Sequence, residues 1–150
     1  MKKIDDLIKD RKVQTADMGW NVAEAAKCMR NHDIGALLVL EDGRVCGIVT
    51  ERDILVQVVA EGLNPETTLL GEIMTKEVAT AEPGDSYEEC LSKMLQKHCR
   101  HLPVISGDQL LGMISLRYLL QVIANEKFER VKLLDYLLRY NMETNEYEEL

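Results

Sequence analysis

Apolar residues in this chain fall into a few short, regular patterns. Val22, Ala25, Ala26 and Met29 keep the i, i+3, i+4, i+7 spacing that lays one stripe along a helix. Tyr87, Cys90, Leu91 and Met94 repeat that spacing. Each stripe follows a capping-box sequence, Asn21-Val22-Ala23-Glu24 in one case and Ser86-Tyr87-Glu88-Glu89 in the other. Two extended runs, Ala36–Leu40 and Arg44–Val49, flank Asp42-Gly43 and predict a β-hairpin; Gly107-Asp108 serves the same purpose later. Thr50 and Ser115 then stand where a further helix begins. Its expected apolar face is Ile54, Leu55, Val58 and Val59 in the first case, and Leu119, Leu120, Ile123 and Ala124 in the second.

These are two copies of one pattern. V-Q-T-A-D-M-G-W-N-V-A-E from Val13 lies over V-A-T-A-E-P-G-D-S-Y-E-E from Val78, an offset of 65 positions. The offset runs on without a gap, so that Gly47-Ile48-Val49-Thr50-Glu51-Arg52-Asp53 lies over Gly112-Met113-Ile114-Ser115-Leu116-Arg117-Tyr118. A repeat of this kind sets the architecture. Each copy reads strand–helix–strand–strand–helix, which predicts an α+β fold. Two β-α-β-β-α repeats are expected to pack through their sheets with pseudo-two-fold symmetry, because a copy of about 45 residues is marginal alone.

The predicted segments are an N-terminal helix over 1–12, on which Ile4, Leu7 and Ile8 keep helical spacing; the first repeat over 13–60; a linker and short turn over 61–74; the second repeat over 75–124; and a C-terminal helix with an acidic tail over 125–150. Phe128, Val131, Leu134 and Leu138 would line one side of that last helix, which is expected to end near Tyr140.

Composition narrows the class. Of the 150 residues, 46% are hydrophobic and 29% charged, as in ordinary globular domains. No apolar run has the length of a membrane span, and acids follow the start where a signal peptide would be apolar, so a cytoplasmic protein without a membrane role is expected. The net charge of −8 disfavours nucleic acid as a partner. Half of it comes from Glu143, Glu146, Glu148 and Glu149, which leaves room for a local basic pocket. Cys28, Cys46, Cys90 and Cys99 form no C-x-x-C pair and read as reduced, mostly buried thiols.

A β-α-β-β-α repeat with G-h-h-T-x-x-D at the start of its last helix resembles the CBS domain family, named for cystathionine β-synthase. Gly71-Glu72-Ile73-Met74-Thr75 and Arg100-His101-Leu102-Pro103-Val104 share the resemblance, which covers about residues 12–124. It implies a tandem pair that binds adenosyl ligands (AMP, ADP, ATP or NAD, with S-adenosylmethionine a further possibility) and that forms homodimers through helices. With no output domain attached, a stand-alone regulatory module with an unknown effector protein is expected, rather than an enzyme. No cofactor is called for.

The two copies differ at the positions where chemistry is expected. Thr50 and Asp53 sit together at a helix start, and an ionised carboxylate there accepts the two hydroxyls of a ribose. T-x-x-D is equally a helix cap. The second copy keeps Ser115 but has Tyr118 in place of Asp53, which favours the ligand reading. Arg100-His101 lies over Gly35-Ala36; a forked guanidinium with a histidine suits phosphate, although the pair also serves as a polar edge. The family pattern joins Thr50/Asp53 to Arg100/His101 in one site and leaves the other depleted. It puts adenine against Ile48, Val49, Val78 and Ala79, which packing alone also explains. Arg52, assigned to phosphate, recurs as Arg117. His98, Cys99 and His101 have no fourth partner, so no metal site is expected. The alternative reading is a ligand-free dimerisation or protein-interaction module that uses the C-terminal helix and tail.

Overall fold

The structure, a computed structural model, describes residues 3–8 and 12–125. The expected helix and tail over 126–150 lie outside the described residues. The first copy is β1 (Thr15–Asp17), α2 (Val22–His32), β2 (Ala36–Glu41), β3 (Arg44–Thr50) and α3 (Glu51–Ile54), which runs on as a π-helical turn over Leu55–Val59. The second is α5 (Tyr87–Lys97), β4 (His101–Ser106), β5 (Gln109–Ser115) and α6 (Leu116–Asn125). Two four-residue helices, α1 (Asp5–Ile8) and α4 (Leu70–Ile73), precede the copies.

The capping boxes form as read. Asn21 accepts from the Glu24 N–H at 2.8 Å while Glu24 accepts from the Asn21 N–H at 2.9 Å. Ser86 and Glu89 do the same at 3.2 and 2.7 Å. Both helices stop at a left-handed residue, Asp33 (φ 50) and His98 (φ 51). Asp42 (φ 51) and Gly43 (φ 78) give the first hairpin the left-handed turn that matches strand twist. The two hairpins even share a register shift, at Val39/Leu40 and at Val104/Ile105.

In three places the structure departs from the pattern. The first strand of the second copy reduces to a single parallel bridge, Ala81 to Val104. Ala81 donates to the Pro103 carbonyl and accepts from the Ile105 N–H, both at 2.9 Å. In the first copy the ladder continues, with the Met18 N–H on the Leu40 carbonyl at 3.2 Å. Pro83 stands at the Met18 position and Pro103 at the Leu38 position, so neither has an N–H to extend it.

Second, Leu55 and Val59 do not lie on a buried face. They are 59% and 65% exposed, and on that segment Val58 alone is buried. The π-turn carries them around the helix, so only part of the stripe meets the core. Ala124 is likewise exposed on α6.

Third, the N-terminal segment works for the other repeat. Ile4 and Ile8 enter the second core with Tyr87, Leu91, Leu102 and Ile114. Leu70 and Ile73 of α4 enter the first core with Val22, Leu37, Val39 and Val49. The Ile4 N–H bonds the Asp85 carbonyl (3.1 Å) much as the Leu70 N–H bonds that of Trp20 (2.9 Å). Each docking runs over a glycine. A Cβ on Gly112 would lie 2.8 Å from Ile8 Cβ, and one on Gly47 would lie 2.5 Å from Met74 Sδ. Glycine is needed at both for the strand to be approached so closely. β3 lies against β5, and Arg44 reaches Asp108 of the other hairpin at 3.5 Å across an exposed edge.

Candidate functional site

After α4 the chain is tied to the first repeat. The Ile48 and Thr75 backbones exchange hydrogen bonds at 3.0 and 2.9 Å. From that pairing the chain runs on through Glu77, Val78 and Ala79. A second tie fixes the start of each last helix: the Glu51 N–H bonds the Gly35 carbonyl at 3.0 Å, and the Leu116 N–H bonds that of Arg100 at 2.8 Å. Between them opens a cleft of about 990 Å³.

Eight of the nine residues singled out in the sequence line this cleft: Ile48, Thr50, Arg52, Asp53, Val78, Ala79, Arg100 and His101. Val49 does not. Alternation along β3 turns it away from Ile48 and Thr50 into the first core, where it is fully buried. Residues the sequence reading missed also line the cleft, among them Gly35, Glu51, Thr75, Glu77, Lys97 and Cys99. Lys97 and Cys99 adjoin the Arg100-His101 pair; Glu77 had no signal in the sequence beyond preceding Val78.

Thr50 and Asp53 form a complete capping box. The Asp53 N–H donates to Thr50 Oγ at 3.2 Å, and Asp53 Oδ2 accepts from the Thr50 N–H at 2.9 Å and its hydroxyl at 3.1 Å. Oδ1 has Gln57 Nε2 at 3.5 Å, a long contact. One carboxylate oxygen thus holds the helix start while the other has only a weak partner. In the second copy half of the cap persists, with the Tyr118 N–H on Ser115 Oγ at 3.2 Å and no carboxylate to answer it.

Arg52, Lys97 and Arg100 bring positive charge to the cleft; Glu51, Asp53 and Glu77 oppose it. Burial, and after it the neighbouring Arg100 charge, lowers the His101 pKa below its ordinary 6.5, so the imidazole is neutral at pH 7. Burial raises the Cys99 thiol above its ordinary value and keeps it protonated. Among the described residues no three His, Cys, Asp or Glu side chains gather to hold a metal ion. Nor, among them, is any helix long and apolar enough to cross a membrane.

A sequence model of the CBS domain matches residues 4–60 and again 70–125. The two matches begin at Ile4 and Leu70, the residues that open the two docking segments. The CBS domain-containing protein CBSX3, mitochondrial, of Arabidopsis thaliana is 31% identical over 144 residues, 88% of this chain and 69% of that protein. Among solved structures, a protein with CBS domains from Burkholderia ambifaria superimposes with a TM-score of 0.80 at 34% identity, over 84% of this chain and 96% of the other. Hypoxic Response Protein I, solved with two coordinated zinc ions, does so with a TM-score of 0.70 at 32% identity, over 81% and 99%. The chain therefore belongs to the CBS domain family as a tandem pair, a small-molecule-sensing regulatory module.

Proposed function

We propose that this cleft binds one adenine nucleotide, AMP, ADP, ATP or NAD, with S-adenosylmethionine as an adenosyl alternative, and that binding changes conformation or assembly. In this reading Thr50 and Asp53 Oδ1 take the ribose hydroxyls. Arg100 and Arg52 take phosphate, and His101 donates a hydrogen bond to it. Ile48, Val78 and Ala79 form the apolar slot for adenine. One observation carries the reading: Asp53 and the Arg100-His101 pair, polar residues that do not recur between the copies, line the same cleft. Packing of two equal repeats does not require that.

Thermal melting against each of the five ligands tests it. A ligand at 100 times its dissociation constant adds about 2.7 kcal/mol to stability. If none of the five, at millimolar concentration, moves the melting temperature, the nucleotide reading fails.

A second observation favours an assembly role. Leu55, Val56, Val59 and Leu63 are 59%, 48%, 65% and 47% exposed and follow directly on α3. A homodimer that covers this face would join the nucleotide cleft to the interface through one short segment. A ligand that changed the geometry of α3 would then act on assembly, provided it bound the two arrangements unequally.

A further inference from the structure

The chain holds a second, smaller cleft of about 520 Å³, lined by Met29, Arg30, Asp33, Ile34, Gly35 and Arg117, with Ala26, Glu51 and Ile54. It is the counterpart of the first. Met29, Asp33, Ile34, Gly35 and Arg117 stand at the positions of Met94, His98, Cys99, Arg100 and Arg52 in the repeat. The left-handed residues that end the two helices, Asp33 and His98, correspond as well.

One side chain lies on the wall between the clefts. Glu51 lines both, and so does Gly35. By the correspondence, a side chain on Gly35 would enter the second cleft as that of Arg100 enters the first. Its Cβ would lie 3.2 Å from the Cδ and Oε1 of Glu51 and 3.4 Å from Oε2. The Glu51 carboxylate therefore crowds the point from which an arginine side chain would leave the backbone in the second cleft. The second copy has Leu116 at this position, so the charge belongs to the first copy alone.

We propose that Glu51 determines how many anionic ligands this pair holds, by setting a carboxylate over Gly35 where the second cleft would otherwise receive a phosphate group. Without Glu51 the second cleft would have Arg30 and Arg117 against Asp33, a net positive charge. With it the charges cancel, and the negative one lies nearest the position of the missing arginine. A unit charge about 4 Å from an anion disfavours binding by roughly fivefold even at the dielectric of water, and by more in a cleft. The proposal rests on the reading that the first cleft accepts phosphate, and Glu51 adds a charge block to the loss of the ribose carboxylate at Tyr118.

Equilibrium dialysis with radiolabelled inorganic pyrophosphate at low ionic strength tests it. Glu51 is exposed, so Glu51→Gln should fold as the parent does. The parent is expected to bind one pyrophosphate. E51Q should gain a second site, at least fivefold tighter than any residual second binding in the parent. Adding Arg117→Ala should remove the gained site, while Arg100→Ala in the E51Q background should remove the first site and spare the gained one. The proposal is overturned if E51Q binds no more than the parent, or if the extra site survives Arg117→Ala. Should the parent bind none while E51Q gains an Arg117-dependent site, the phosphate reading of the first cleft fails and the role of Glu51 stands.

Discussion

Replacing Asp53 with alanine should produce two separable losses. The first needs no ligand. Asp53 Oδ2 holds the Thr50 N–H and hydroxyl at 2.9 and 3.1 Å, and losing a reciprocal cap costs about 1 kcal/mol. In a chain of this size that lowers the melting temperature by roughly 2–4 °C. The helix should survive, because α6 begins at Ser115 and Tyr118 with half a cap and no carboxylate. The second loss appears only with ligand. A ribose hydroxyl bonded to a charged acceptor is worth about 1.5–3 kcal/mol, so losing one bond weakens binding about tenfold or more. At a ligand concentration 100 times the parent dissociation constant, the added stability then falls from about 2.7 to about 1.4 kcal/mol or less. Calorimetric melting with and without the nucleotide that most stabilises the parent measures both. Asp53→Asn keeps an acceptor for Thr50 and should show the second loss with little of the first. If the Ala variant melts lower without ligand but gains as much from it as the parent, Asp53 is a cap only, and the ribose assignment is refuted.

Gly47→Ala would push a Cβ to 2.5 Å from Met74 Sδ and 3.0 Å from the Thr75 carbonyl oxygen, which is bonded to Ile48. Urea unfolding should show a loss of roughly 1–3 kcal/mol, and nucleotide affinity should fall too because Thr75 lines the cleft; unchanged stability would show that the crossing gives way easily. Because burial and the Arg100 charge lower the His101 pKa, the unfolded chain binds more protons below the ordinary 6.5. Stability contributed by neutral His101 is therefore present above that value and lost as pH falls through it; denaturation at about pH 7 and about pH 5 should show a drop that His101→Gln reduces, and equal drops would remove His101 as its source. A phosphate ligand favours imidazolium and should bind more tightly over the same fall in pH, which calorimetry in two buffers reads as proton uptake. Leu55→Glu with Val59→Glu should leave the melting temperature within a few degrees while lowering the sedimentation coefficient of any dimer; an unaltered dimer would move the interface elsewhere.

Local signals were legible in the sequence wherever neighbours along the chain decide the outcome. The capping boxes at Asn21/Glu24 and Ser86/Glu89 and the turn at Asp42-Gly43 need only residues within a few positions. The lone bridge at Ala81 was written in Pro83 and Pro103, but its meaning depends on which strand they face. The docking role of the N-terminal segment was hidden by a slip of one: Ile4 and Leu70 are 66 positions apart, whereas the rest of the repeat keeps 65. Val49 was assigned to the cleft although alternation with Ile48 and Thr50 pointed it inward.

The sequence by itself determined the duplication, the α+β class and the residues at which the two copies part. Periodicity and caps are properties of short segments, and comparing one copy with the other needs no coordinates. The tertiary structure decided what those differences do together. Thr75 on Ile48, and Glu51 on Gly35, are contacts between distant segments, and they form the cleft walls. That long-range pairing places Asp53 with Arg100 and His101 in one cleft, and sets Glu51 over the glycine of the other.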